Sequence, residues 1–236
     1  MQSRNLHPLL NFFFPRFCIG CSIPGVYICV SCSKKIGVCY TQKCYKCHKP
    51  SPYGMTHWGC RKENSLIGIF SLFLYRGLGG RVMKYAKYKR EQKVIDDLFS
   101  SAPSCARSTL YDFFLHTKPS VLIPIPLHRS VVSVRGFNQS DAFSQLLTRA
   151  LNIPTLSILE KLSERAPQSK MPSNMRKKNV RGSYNINNYA GLSIGGRTVC
   201  IVDDVVTTGA TLEEASRVLK PYTNKVYGVT LFRSFE

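Results

Sequence analysis

Apolar runs of strand length alternate with helix-period patterns over most of this chain. Residues 198–202 form a short, nearly continuous apolar run, the pattern of a strand buried on both faces of a parallel sheet. Leu212, Ala215, Val218 and Leu219 then recur at helical spacing, which predicts a helix over 211–220 stopped by Pro221. Residues 120–126 predict a second strand ended by Pro124 and Pro126, followed by a helix carrying Ala142, Phe143, Leu146, Leu147 and Ala150 on one face. Further strands are predicted at 66–75, 156–162 and 225–232, and a helical stretch at 81–101, first through Val82, Tyr85 and Ala86 and then through Val94, Ile95 and Leu98. Gly77, Gly79 and Gly80 break the pattern after 66–75 and mark an expected domain junction. Strands alternating with helices predict an α/β fold built on a Rossmann-like parallel sheet.

The first quarter of the chain follows a different logic, set by cysteine. Seven of the ten cysteines lie between Cys18 and Cys47, and an eighth is Cys60. Cys18-x2-Cys21-x7-Cys29-x2-Cys32 gives two short knuckles separated by Pro24-Gly25, a spacing that wraps four thiolates around one tetrahedral zinc ion. Cys44-x2-Cys47-x9-His57-x2-Cys60 repeats it with histidine in third position. Residues 18–63 therefore read as a double zinc ribbon between a tail, 1–17, and a larger domain, 64–236. Cys39 is an alternative fourth ligand of the second site, and His48 reads as a solvated loop histidine. Cys105 and Cys200 read as small buried apolar residues. A disulfide framework would require an oxidising compartment.

Charge adds a constraint on partners. Across 236 residues, 33 Lys and Arg against 13 Asp and Glu give a net charge of +20, which favours an acidic partner such as nucleic acid, an anionic ligand or an anionic membrane surface. No stretch is long or apolar enough to span a bilayer, and the run at 9–14 lacks the features of a signal peptide, so a cytoplasmic location is expected. That run reads as packing onto the zinc module or as a docking tail.

Between the 198–202 strand and its helix lies Asp203-Asp204-Val205-Val206-Thr207-Thr208-Gly209-Ala210-Thr211. Backbone N–H groups and hydroxyls of residues 207–211 can cradle a phosphate at the positive end of the helix dipole. Two acids at the carboxyl end of a parallel strand suit vicinal ribose hydroxyls. This segment resembles the 5-phosphoribosyl-1-diphosphate (PRPP) loop of type I phosphoribosyltransferases. The resemblance implies that Asp203 and Asp204 contact ribose hydroxyls, that Thr207, Thr208, Gly209, Ala210 and Thr211 hold the 5-phosphate, and that Mg2+ accompanies the diphosphate.

The order of all these parts resembles the ComF-type competence proteins, which join a cysteine-rich zinc module to a phosphoribosyltransferase-like domain. It rests on residues 18–60, Tyr75-Arg76-Gly77, the 84–89 segment, Ile123-Pro124-Ile125-Pro126-Leu127-His128, Arg135-Gly136-Phe137-Asn138-Gln139, Lys178-Asn179-Val180-Arg181-Gly182 and the loop. His57 is a departure, since that family commonly carries cysteine there. The resemblance implies a role in natural transformation, handling incoming single-stranded DNA at the inner face of the membrane channel beside other competence proteins. Arg81, Lys84, Tyr85, Lys87, Tyr88, Lys89 and Arg90 interleave phosphate-binding charge with stacking faces and are candidates for that DNA. Arg165, Lys170, Arg176, Lys177, Lys178 and Arg181 form a second basic stretch, suited either to DNA or to the diphosphate. Two functional classes stay open: a binding protein that uses PRPP as a ligand, and an active phosphoribosyltransferase whose acceptor site is not identifiable.

Overall fold

The computed structural model describes residues 15–63, 65–162, 181–186 and 193–234. The run at 9–14 and the cations Arg165, Lys170, Arg176, Lys177 and Lys178 lie outside the described residues.

A four-stranded, all-parallel sheet in the order β1-β6-β5-β2 forms the centre, with β1 at Ile69–Leu74, β2 at Val121–Pro124, β5 at Thr198–Val206 and β6 at Lys225–Arg233. Strand β5 pairs on both sides, with Ile201 facing Ile123 of β2 and Gly228 of β6. Its alternate residues serve two layers. Cys200 and Val202 join the core cluster of Phe70, Phe113 and Phe143, while Val199 and Ile201 join that of Ile123 and Leu212. This explains why the strand reads as a continuous apolar run rather than an alternating one.

The Phe70 layer is covered by α2 (Gly77–Tyr88), α3 (Lys93–Ser100), α4 (Ser104–Thr117) and α6 (Gln139–Leu151), with the short α1 (Val30–Ser33) in the N-terminal module and α5 (Arg129–Arg135) following β2. Helix α7 (Ala210–Leu219) and a small antiparallel pair, β3 (Leu159–Lys161) with β4 (Tyr184–Ile186), cover the other layer. Strand β3 is thus shorter than predicted and does not join the parallel sheet.

Three further expectations change. The helical stretch at 81–101 is two helices, parted by a turn in which Arg90 takes φ 57°. Gly77, Gly79 and Gly80 open α2 rather than separate two bodies. A Cβ on Gly79 would stand 2.8 Å from both the Leu74 carbonyl oxygen and the Phe232 ring, so glycine lets the helix start directly against the sheet. Helix α4 was not predicted, although Ala106, Leu110, Phe113, Phe114 and Thr117 keep helical spacing and are buried. Its phase also corrects Cys105. Ala106 takes the inward position and Cys105 is exposed, with its sulfur 3.2 Å from the Tyr40 hydroxyl.

Residues 37–43 bind the N-terminal module to the sheet. The Leu74 N–H donates to Gly37 and the Cys39 N–H to Leu72, and Val38 bridges antiparallel to Phe73. The Gln42 side chain continues the ladder, accepting from the Ser71 N–H at 3.0 Å and donating to the Ser71 carbonyl at 2.8 Å. The module therefore closes the free edge of β1, where unpaired backbone groups would otherwise template aggregation.

Candidate functional site

The carboxyl ends of β5 and β2 lie side by side. Ile125 N–H donates to the Val202 carbonyl, and the Asn138 side chain donates to the Ile125 carbonyl at 2.9 Å. The motifs at 123–128, 135–139 and 203–211 consequently meet at one edge of the sheet, although they are far apart in sequence.

Asp203 is the last of five consecutive buried residues in β5. Its carboxylate accepts from Ser140 Oγ at 3.0 Å and from the Asp204 N–H at 2.8 Å. Burial first, and then the Asp204 charge, push its carboxyl up to about 7. Asp204 forms an ion pair with Lys87 Nζ at 2.6 Å. Burial of Lys87 works to lower its ammonium pKa, but the attraction of Asp204 outweighs this and leaves it raised.

Beyond the acids the chain turns at Gly209, with φ 78°, into α7. The first-turn amides of a helix have no carbonyl partners within it. Thr208 Oγ1 accepts from one of them, the Ala210 N–H, at 3.4 Å. At this turn the N-terminal module reaches the loop. A Cβ on Gly209 would stand 2.8 Å from the buried Tyr45 ring, and Lys46 pairs with Glu213 in the first turn of α7. Glu214 accepts from the Gly182 N–H at 2.6 Å and from Arg217, which anchors residue 182 to α7.

Tyr45 and Lys46 lie inside the second cysteine cluster. Ligand atoms of Cys44, Cys47, His57 and Cys60 lie within 4.8 Å of one another, as do those of Cys18, Cys21, Cys29 and Cys32. The second cluster is completed by His57, with Cys47 Sγ 3.2 Å from Nδ1. Cys39 is buried elsewhere, with its sulfur against the Thr41 carbonyl. The donor chemistry suits a soft, tetrahedral cation. The Cys21 and Cys29 sulfurs are 3.7 Å apart, close to the edge of a tetrahedron with zinc–sulfur bonds of about 2.3 Å. Backbone N–H groups of Cys29 and Cys32 point at the Cys18 and Cys29 sulfurs. Burial raises the Cys18 and Cys44 thiols, but backbone hydrogen bonds outweigh it and lower them to about 6 and about 7. Both groups can hold a metal such as zinc. His48 is exposed, at φ 60°, as expected of a loop histidine, and Cys200 is fully buried.

The first cluster packs on α2 and α3. Tyr27 donates from its N–H to Asp97 at 2.7 Å and from its hydroxyl to Glu91 at 2.8 Å, and Arg81 donates to the Ile19 carbonyl. Of the α2 candidates for nucleic acid, Arg81 thus holds this cluster, Lys87 faces Asp204, and Tyr85 is half-buried against Tyr27 with ring centroids 5.7 Å apart. Lys84, Tyr88, Lys89 and Arg90 are exposed.

Sequence reasoning missed Ser140, Tyr45 and Arg233. Arg233 is buried and donates to Ser71 Oγ at 3.2 Å, the Ile69 carbonyl at 2.9 Å and the Lys43 carbonyl at 3.0 Å, tying β6 to the second cluster. A basic residue closing an otherwise apolar strand was the available signal.

No family model matches the chain. It is 28% identical over 221 residues to competence protein ComFC of Bacillus subtilis, covering 89% of this chain and 86% of that one. It is 35% identical over 103 residues to competence protein F of Haemophilus influenzae, and 34% identical over 102 residues to the DNA utilization protein YhgH of Escherichia coli K12. These two matches span less than half of their relatives, 44% and 43%, and 43% of this chain. A purine phosphoribosyltransferase structure from Pyrococcus horikoshii covers 55% of this chain and 81% of its own, at 17% identity and a TM-score of 0.32, a likeness too slight to build on. The chain is a homologue of proteins named competence protein F, competence protein ComFC and DNA utilization protein YhgH.

Proposed function

We propose that this chain is a competence protein that binds PRPP at the 203–211 loop and handles incoming single-stranded DNA during natural transformation. The competence and DNA-utilization roles named for its homologues support the biological setting. One observation carries the ligand: two adjacent acids, a Thr-Thr-Gly turn and a helix N-terminus stand together at the carboxyl edge of the central strand, the place where open parallel sheets bind ligands. In this reading Asp203 and Asp204 hold the ribose hydroxyls, and the amides and hydroxyls of residues 207–211 hold the 5-phosphate. Mg2+ would enter with the ligand and neutralise its diphosphate charge. Ser140 orients Asp203, and Lys87 must release Asp204 or share it when ribose binds.

Zinc held by the two clusters orders the N-terminal module, and the exposed Lys84, Tyr88, Lys89 and Arg90 offer a first surface to DNA phosphates and bases. Among the described residues no helix is long and apolar enough to cross a membrane. We place the protein in the cytoplasm at the inner face of the DNA-uptake channel.

Calorimetry with PRPP and Mg2+ tests the ligand. Wild-type protein should bind, and Asp203→Ala with Asp204→Ala should abolish the heat while circular dichroism and zinc content stay unchanged. Retained affinity in the double variant would overturn the assignment. Pyrophosphate release from PRPP on adding nucleobases or amines would show a transferase rather than a binding protein.

A further inference from the structure

Trp58 is the chain's one tryptophan and is 87% exposed. It stands in the 3-10 turn Trp58–Cys60, between His57 and Cys60 of the second cluster. The turn is closed by the Cys60 N–H on the His57 carbonyl at 2.8 Å and the Arg61 N–H on the Trp58 carbonyl at 3.1 Å. A large indole is thus held outward on a short turn that a bound metal would lock at both ends.

Its surroundings are cationic. The Arg61 guanidinium lies over the ring, 5.8 Å from its centroid, and is itself held by a bond from Nε to the Thr56 carbonyl at 3.1 Å. Lys62 beside it is exposed. Residues 18–63 carry seven Lys and Arg against one acid, Glu63. Four thiolates on one Zn2+ leave a charge of −2 and three leave −1, so the module stays cationic when loaded. A fixed aromatic face among cations complements a polyanion with free planar faces, which single-stranded nucleic acid presents and a duplex does not. Insertion into a membrane interface would call for apolar neighbours. Among the described residues up to 63, the other exposed large apolar side chains, Phe17, Ile23, Val30 and Tyr40, all lie outside the turn and the second cluster.

We propose that Trp58, flanked by Arg61 and Lys62, is a stacking platform for a base of single-stranded DNA, a contact separate from the exposed end of α2. This rests on the DNA-handling reading above and names a contact that makes it.

The test is tryptophan emission of zinc-loaded, full-length protein during titration with oligothymidylate and with an abasic strand of equal length, with anisotropy of labelled strands in parallel. Thymidylate should quench the emission saturably and the abasic strand should not. Trp58→Ala should weaken thymidylate binding about tenfold, and Trp58→Phe should restore most of it, both at unchanged zinc content. Binding by anisotropy with unchanged emission, and unchanged affinity in Trp58→Ala, would overturn the platform while leaving DNA handling intact. No binding by either strand would overturn both readings. An emission shift to shorter wavelength with phosphatidylglycerol vesicles, without quenching by thymidylate, would assign the indole to lipid instead.

Discussion

The N-terminal module and the α/β domain reach order by opposite means. The domain buries a thick apolar interior on both faces of its sheet, with Phe70, Phe73, Phe113, Phe143 and Phe232 fully enclosed. The module has little interior of its own. Its buried apolar residues beyond the cysteines are Tyr27, Ile28, Ile36 and Tyr45, and these join the domain's two core clusters rather than forming a third. A segment of this size cannot bury enough surface to offset its chain entropy, so docking and the metal that its two cysteine clusters can hold have to supply the difference. The module is thus an outgrowth of the domain's surface: residues 37–43 close the edge of β1, and the knuckle at 44–47 rests on the 203–211 loop.

Removing ligands of the first cysteine cluster has the largest expected effect. Cys18→Ser with Cys21→Ser should lose one of two zinc ions by elemental analysis and open residues 18–36 to hydrogen exchange, since structural zinc contributes on the order of 10 kcal/mol to small modules. The β5 and β6 amides should stay protected. Their loss of protection would mean that the domain needs the module to fold.

Next in size is the contact between the two regions. Tyr45→Ala removes a buried ring against Leu66, Ile69 and Gly209 and should cost about 3 kcal/mol in a denaturant melt. Hydrogen exchange should rise at residues 207–212 while both zinc ions are retained. Unchanged exchange there would show that the knuckle does not support the loop.

The most local effect lies within the domain. Burial raises the Asp203 carboxyl to about 7, so between roughly pH 4, where an unfolded carboxyl titrates, and about pH 7 the native state holds the extra proton. Its contribution to stability is therefore complete below pH 4 and is lost as pH rises to about 7. Asp203→Asn should flatten that decline and make the protein more stable than wild type at pH 8, read from melts across pH. An unaltered pH slope would show that Asp203 is ionised throughout.

Much of this was legible along the chain because it is local. The loop, the strand before it, the helix after it and the paired cysteines each sit within one short span, where period and spacing report directly on geometry. Helix α4 is equally local, since Ala106, Leu110, Phe113 and Phe114 carry its pattern. Cys105 shows the limit of residue type as a guide, since cysteine is commonly buried but the phase of α4 turned this one outward.

The alternation of strands and helices, the two sets of metal-ligand spacings and the loop with two acids and a Thr-Thr-Gly turn are all local properties of the sequence. Tertiary structure decided what each charge does. Lys87 and Arg81 belong to the same basic helix, yet one faces Asp204 and the other, although exposed, holds the Ile19 carbonyl, while Lys84, Lys89 and Arg90 are exposed as well. It also chose His57 over Cys39 for the second cluster and set Tyr45 against Gly209. These outcomes depend on contacts between residues tens to more than a hundred positions apart, which periodicity cannot encode because it carries only the direction a side chain leaves its own element.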